Sequence, residues 1–181
     1  MPKTSGSITF SGRELTITSP RHAIAAGIVL CPEDRKKEGI VPVRSVLENI
    51  NLSARRRTAR VGIFIDESWE QTNARERSAQ LRVKAPSVQQ LIRNLSGGNQ
   101  QKVMVGRWLA EESSVLLLDE PFQGVDSTTE QSIVELLREL RNQGATALVV
   151  HHDLSTVEKY FDHVVLLNQR LVAVGETSQT F

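Results

Sequence analysis

Two segments constrain this chain more than any others: Leu95-Ser96-Gly97-Gly98-Asn99-Gln100-Gln101 and, downstream, Val115-Leu116-Leu117-Leu118-Asp119-Glu120-Pro121. The first puts a serine and two glycines at the mouth of a helix, and the second is an apolar strand ending in two adjacent carboxylates. Such a strand delivers its carboxylates to the carboxyl edge of a sheet, where ligands bind in open α/β folds. Neighbouring strand residues point to opposite faces, so the pair can divide its work. Asp119 is the candidate Mg²⁺ ligand, directly or through water, and Glu120 the candidate to orient or deprotonate an attacking water. The bland alternative is an acidic pair capping the next loop. Around Ser96, Gly97 and Gly98, unpaired N–H groups, the helix dipole and the hydroxyl all favour an anion; the alternative is an ordinary serine cap on a glycine turn. Together the segments suggest one half of a nucleotide-hydrolysing site. The expected companion, a glycine-rich loop ending in Lys-Ser or Lys-Thr, is not in this sequence, where no Gly precedes a Lys.

With 181 residues, one domain with a substantial core is the default reading. A net charge of +1 offers no global field for nucleic acid or an anionic membrane. Cys31 stands alone, which excludes an internal disulfide and fits a reducing cytosol. The apolar stretch at 23–31, broken by Gly27, is far shorter than the roughly 20 residues that span a bilayer. Met1, Pro2, Lys3, Thr4, Ser5 and Gly6 contain no apolar signal-peptide core.

Along the chain, Ile8, Phe10, Leu15 and Ile17 alternate with polar residues as a half-buried hairpin. Ser19-Pro20 opens a short helix ending at Gly27, and 28–30 reads as a buried strand. Residues 32–39 read as a polar surface loop. Ser45 and Glu48 form a capping box for a helix toward Leu52. Arg55, Arg56, Arg57 and Arg60 read as a solvated turn, since no aromatic residues interleave with them. Residues 68–83 are mainly helical. After the strand at 115–118, Ser127 and Glu130 suggest a second capping box, with Ile133, Leu136, Leu137 and Leu140 as the buried face. A strand at 147–150, a helix at 155–160, a strand at 164–167 and a return strand at 170–174 complete the pattern. Strands alternating with helices imply a largely parallel sheet.

On these motifs the chain resembles a nucleotide-binding domain of the ATP-binding-cassette (ABC) family. Residues 95–101 match the family signature and 117–121 match Walker B; Gly124-Val125-Asp126 lies where the D-loop belongs, with Asp126 at the dimer contact. His151-His152-Asp153 fits the switch-histidine position, and the spacing to Asp153 favours His152 as the γ-phosphate contact. Residues 6–121 resemble the second cassette of arabinose-type sugar-importer ATPases, carried by Ser19-Pro20-Arg21, Ala25-Ala26-Gly27-Ile28, Cys31-Pro32-Glu33-Asp34-Arg35-Lys36, Glu48-Asn49-Ile50 and 94–101. There Glu33 occupies the place of the Q-loop glutamine. Residues 122–181 resemble manganese or iron importer cassettes, carried by 149–154, Tyr160-Phe161-Asp162 and Leu166-Leu167-Asn168.

The resemblance implies an α/β fold, an incomplete P-loop NTPase with a mostly parallel sheet and an inserted helical subdomain. The expected division is 1–44 (strand and Q-loop region), 45–110 (helical subdomain with the signature) and 111–181 (Walker B, D-loop and switch lobe). ATP and Mg²⁺ are the implied cofactors. Glu120 and His152 are the catalytic candidates, Ser96, Gly97, Gly98, Gln101, Glu33 and Asp126 the nucleotide-site candidates, and Asp119 the metal ligand. The implied partners are a second cassette and membrane permease subunits, not nucleic acid, at the cytoplasmic face of a cell membrane. The likeness begins at the strand that normally follows the phosphate loop, so weak ATP binding and an uncovered sheet edge or core face are expected. Two rival readings are a chromosome-maintenance ATPase lobe, disfavoured because no sustained heptads occur, and a non-catalytic regulatory or vestigial module.

Overall fold

The computed structural model describes residues 6–59, 61, 64–111 and 113–180. Residues 1–5 of the stretch read as lacking a signal-peptide core, and Arg60 of the solvated turn, fall outside them. Near the start, β1 (Thr9–Phe10) and β2 (Arg13–Glu14) form an antiparallel hairpin that is more exposed than its alternation predicts. Helix α1 (Pro20–Ala25) starts as its Ser-Pro pair predicts, with Ser19 Oγ accepting from the His22 N–H. Gly27, at φ +78°, turns the chain into β3 (Ile28–Cys31).

The central sheet has the order β3–β4–β5, where β4 is Val115–Asp119 and β5 is Thr146–Val150, all parallel. Its two faces differ. Val29, Leu116, Cys31 and Leu118 point into the core against α5 (Gly97–Ala110) and α6 (Ser127–Asn142). On the opposite face Leu30, Leu117 and Leu148 form one row in register, with Leu30 52 % and Leu148 56 % exposed. The expected uncovered core face is therefore present, and β3 is a half-covered rather than a buried strand. After α7 (Leu154–Tyr160), β6 (His163–Asn168) pairs, among the described residues, only with β7 (Arg170–Glu176), as an antiparallel hairpin turned at Gln169, and α8 (Thr177–Thr180) follows.

The helical stretch comprises α2 (Val46–Asn51), α3 (Arg55–Thr58), α4 (Glu67–Gln80) and α5. Its Ser45–Glu48 capping box forms as expected: Glu48 N–H donates to Ser45 Oγ at 3.1 Å and Ser45 N–H to Glu48 Oε2 at 2.9 Å. Three readings need correction. Residues 35–39 are not a loop but a π-helical turn capped by Asp34, whose Oδ1 accepts from the Lys36 and Lys37 N–H groups. Arg55–Thr58 form a short helix rather than a turn, and Arg55 is half-buried, while Arg57 is exposed yet bonded. Arg55 pairs with buried Glu70 at 2.6 Å, and Arg57 donates to the Ala110 carbonyl at 2.7 Å, so both tie α3 to neighbouring helices. Helix α6 is capped by Asp126 rather than Ser127. Its carboxylate accepts from Thr129 N–H and Oγ1, each at 2.9 Å, because an ionised carboxylate is the stronger acceptor.

Candidate functional site

At the carboxyl edge of the sheet, β4 delivers Asp119 and then Glu120, which sits at φ +45°. A left-handed backbone is costly for a residue with a Cβ, and such strain gathers at functional sites. Here it is held on both sides: Glu120 N–H donates to the Val150 carbonyl at 3.2 Å, and Glu120 carbonyl accepts from Gln123 N–H at 3.1 Å. The twist brings Glu120 Oε1 to 3.1 Å from His152 Nε2. The carboxylate is 13 % exposed while the imidazole is 84 % exposed, so a sheltered acceptor faces a ring open to an incoming group.

The neighbouring His151 is placed differently. Its Nε2 lies 2.7 Å from Thr156 Oγ1, and its ring packs edge-on to Phe122 and Phe161 at centroid distances of 5.3 and 5.9 Å. Of the two histidines in the motif, only His152 meets Glu120. Asp153 caps α7 through Ser155, and that bonding holds its carboxyl below the usual range.

A second cluster forms at the N-termini of α5 and α6. Ser96 is exposed and makes no bond to the backbone N–H groups of its own helix; its Oγ accepts from the Asn99 amide at 2.9 Å. The helix mouth is thus left free of the cap that was the alternative reading. Gly97 is half-buried. Gly98 is buried against α6, where a Cβ would come within 2.5 Å of Thr129 Oγ1, so its glycine permits the close packing of the two helices. Gln101 is 2 % exposed and faces the interior. Asp126 keeps an exposed position, with its carboxyl pulled down by the Thr129 backbone and hydroxyl bonds. Glu33 is exposed just past β3, and its carbonyl accepts from Arg35 N–H at 3.0 Å. The nearest neighbours of Gly97 and Gly98 come from Arg35, Gly124 and Thr129, not from the Glu120–His152 pair.

Arg35 escaped sequence reasoning. Its guanidinium packs on Gly97 and donates to the Gln123 carbonyl at 3.3 Å. The only local signal was an aspartate placed to cap the turn immediately before it. Among the described residues no three His, Cys, Asp or Glu side chains come together as a metal site. Asp119 alone fits a Mg²⁺ ion whose other ligands are phosphate oxygens and water, a usual arrangement for this ion. No described helix is long and apolar enough to cross a membrane.

Comparison with known proteins follows the same line. The family model described as "ABC transporter" matches residues 1–123. The chain is 48 % identical over 178 residues to the arabinose import ATP-binding protein AraG of Yersinia pestis, covering 98 % of this chain and 34 % of that protein. The AraG protein of Mannheimia succiniciproducens is 51 % identical over 166 residues, or 92 % of this chain and 33 % of the relative. The chain therefore spans about a third of the length of these relatives. Among solved structures, a dimeric ATP-binding cassette in a post-hydrolysis state with ADP and Pi superimposes with a TM-score of 0.78 at 21 % identity, covering 96 % of this chain and 74 % of that one. A nucleotide-free cassette from an ABC transporter gives 0.77 at 22 % identity, covering 97 % and 71 %. The solved structures support the fold: an α/β cassette with a parallel sheet.

Proposed function

We propose, since this chain belongs to the ABC transporter family, that it forms the signature- and carboxylate-bearing part of an ATP-binding cassette energising import of a pentose such as arabinose. The observation that carries this reading is the Glu120–His152 pair, 3.1 Å apart beside Asp119 at the end of β4. Glu120 is sheltered, and its Oε1 is left without a hydrogen-bond partner among the described residues. It holds a water and takes its proton as the water oxygen attacks the γ-phosphorus and the bond to the β,γ-bridging oxygen breaks, releasing ADP. His152, exposed and 3.1 Å from Glu120, donates to a γ-phosphate oxygen. Asp119 would hold Mg²⁺ together with phosphate oxygens; when bound, that ion neutralises charge on the phosphates. Ser96 and the first N–H groups of α5 face the phosphates of a nucleotide held by a second cassette. Asp126 lies at the contact between cassettes, and Glu33 passes the nucleotide state toward membrane permease subunits. On this reading the protein works at the cytoplasmic face of the membrane, and nucleic acid is not a partner. The alignments to arabinose-import proteins reach 98 % of the chain, which favours a sugar over a metal ion as cargo.

The phosphate-gripping loop is to be supplied by another segment or cassette. The chain by itself is then expected to bind ATP weakly and to hydrolyse it at background rate. Nucleotide titration and an ATPase assay on the purified chain check this; robust turnover abolished by Glu120→Gln would sink the inactivity. Mixed with a complete arabinose-type cassette, the chain should raise ATP turnover, and Ser96→Arg should remove the increase. No stimulation at any ratio overturns the cassette reading.

A further inference from the structure

The π-turn at 35–39 lies along one face of the signature helix and is gripped at both ends. At its far end, Gly39 approaches Met104 so closely that a Cβ there would run into the Met104 Sδ. At its near end, a Cβ at Gly97 would meet Arg35 Nη2 at 2.5 Å, and a Cβ at Gly124 would lie 3.9 Å from the same nitrogen. Gly97 and Met104 are two turns apart on one helix face, about 10 Å along the axis. Arg35 Nη1 also donates to the Gln123 carbonyl at 3.3 Å, which adds the loop before Asp126 to the contact.

The guanidinium is not held there by charge. No ion pair to Arg35 occurs among the described residues, its Nε is buried without a hydrogen-bond partner, and the mouth of α5 is the positive pole of the helix. What fixes it is the turn behind it. Asp34 accepts from two N–H groups of that turn, and Ile40 N–H donates to the Arg35 carbonyl at 2.8 Å, closing the wide ring. Single π-turns are uncommon and recur at functional sites. Glu33 is one residue before the cap, and its carbonyl is bonded to the Arg35 N–H.

We propose that Arg35 is a positioning residue that makes the segment after β3, the mouth of α5 and the loop at 123–124 move as one body. A displacement of Glu33 then reaches both strips that face the second cassette, through one side chain and with no hinge between. This deepens the nucleotide reading above and rests on it for its purpose, but its physical content is a coupling that can be measured without nucleotide.

The experiment is a double-mutant cycle on the full chain with amide hydrogen exchange as readout, comparing Arg35→Ala, Arg35→Lys, Gly97→Ala and the Arg35→Ala/Gly97→Ala pair. Gly97→Ala should speed exchange at the Gln100 amide, the first of α5 bonded to a carbonyl, by about tenfold or more, because the guanidinium is pushed out and its bond to Gln123 is lost. Adding Arg35→Ala removes the obstacle, so the double variant should exchange more slowly at α5 than Gly97→Ala alone. Arg35→Ala by itself should shift the Gln123 and Gly124 amide resonances and those of residues 97–98 together, while Arg35→Lys partly restores them. Additive effects, or resonances at 123–124 that ignore Arg35, overturn the proposal. If Gly97→Ala does not fold, the single Arg35 variants still decide through the joint shift. Failure of the chain to bind nucleotide would count against the functional reading and leave this result intact.

Discussion

The helical stretch at 45–110 and the strands around it solve the burial problem in opposite ways. In the helical stretch Val46, Ile50, Ile92, Val103 and Met104 are all at 0 % exposure, and buried Asn49 and Arg107 are tied into a hydrogen-bonded cluster. Asn49 accepts from Val41 N–H at 2.8 Å and donates to the Ser45 carbonyl at 2.9 Å, while Arg107 donates to the Asn49 carbonyl at 3.0 Å. The strands close only one side. Leu148, Val150, Leu167 and Val174 are 48–73 % exposed, and they come from both the parallel sheet and the β6–β7 hairpin. One region is packed against itself, whereas the other is shaped to be covered.

The sharpest break of this contrast is a pair of equal truncations. Met104→Ala or Ile92→Ala should cost about 2–5 kcal/mol in urea unfolding, through lost transfer energy and a residual cavity. Leu148→Ala should cost less than about 0.5 kcal/mol, because its side chain already faces solvent. Equal costs would mean that the strand face is covered in solution. A companion measurement is sedimentation: the chain should self-associate with rising concentration, and Leu148→Ser should reduce it. A concentration-independent monomer with a sharp melt counts against an open face.

Next in size is the ion pair that ties α3 to α4. Glu70 is 5 % and Arg55 28 % exposed at the side chain, so Glu70→Ala should cost about 2–3 kcal/mol, less than for a fully buried pair. The Arg55→Ala/Glu70→Ala double variant should be more stable than the two single losses summed, since no charge is then stranded. This interaction also shows where sequence reasoning stopped. The Ser45–Glu48 box, the Ser19-Pro20 helix start and the apolar run into Asp119 are local patterns and were legible. Arg55 and Arg57 find partners at Glu70 and Ala110, and no local pattern announces such pairings. At the candidate site the residue types and their order were readable. The positive φ of Glu120, which aims it at His152, and the inward turn of Arg35 are products of packing. The inward position of Gln101 is likewise set by the helix phase within the folded core.

Cys31 tests the covered side of β3. Burial pushes its thiol up to about 12, so it carries no thiolate at neutral pH and lies out of reach of reagents. A thiol probe at pH 8 should label it at least about a hundredfold more slowly in the native chain than in urea. Because the folded value is raised, the contribution to stability is complete below the unfolded thiol value and falls away as pH rises toward 12. Rapid native labelling would transfer β3 to the open class on both faces.

The smallest effect lies in the helix caps, which are shared by both regions and therefore respond alike. The carboxyls of Glu48, Asp126 and Asp153 are all lowered, Glu48 mainly by the Ser45 backbone bond, Asp126 by the Thr129 backbone bond and Asp153 by the Ser155 hydroxyl. A lowered folded value means that their stabilisation is fully present above the ordinary carboxylate range, near pH 4, and is lost as pH falls through the lowered values. The melting temperature should therefore be flat from pH 7 to about 5 and drop below about 4. Glu48→Gln and Asp126→Asn should each lower it slightly at pH 7 and flatten the acid limb, one from the closed region and one from the open. If only Asp126→Asn flattens the limb, acid unfolding begins in the strand region, and the difference in packing between the two regions extends to their order of unfolding.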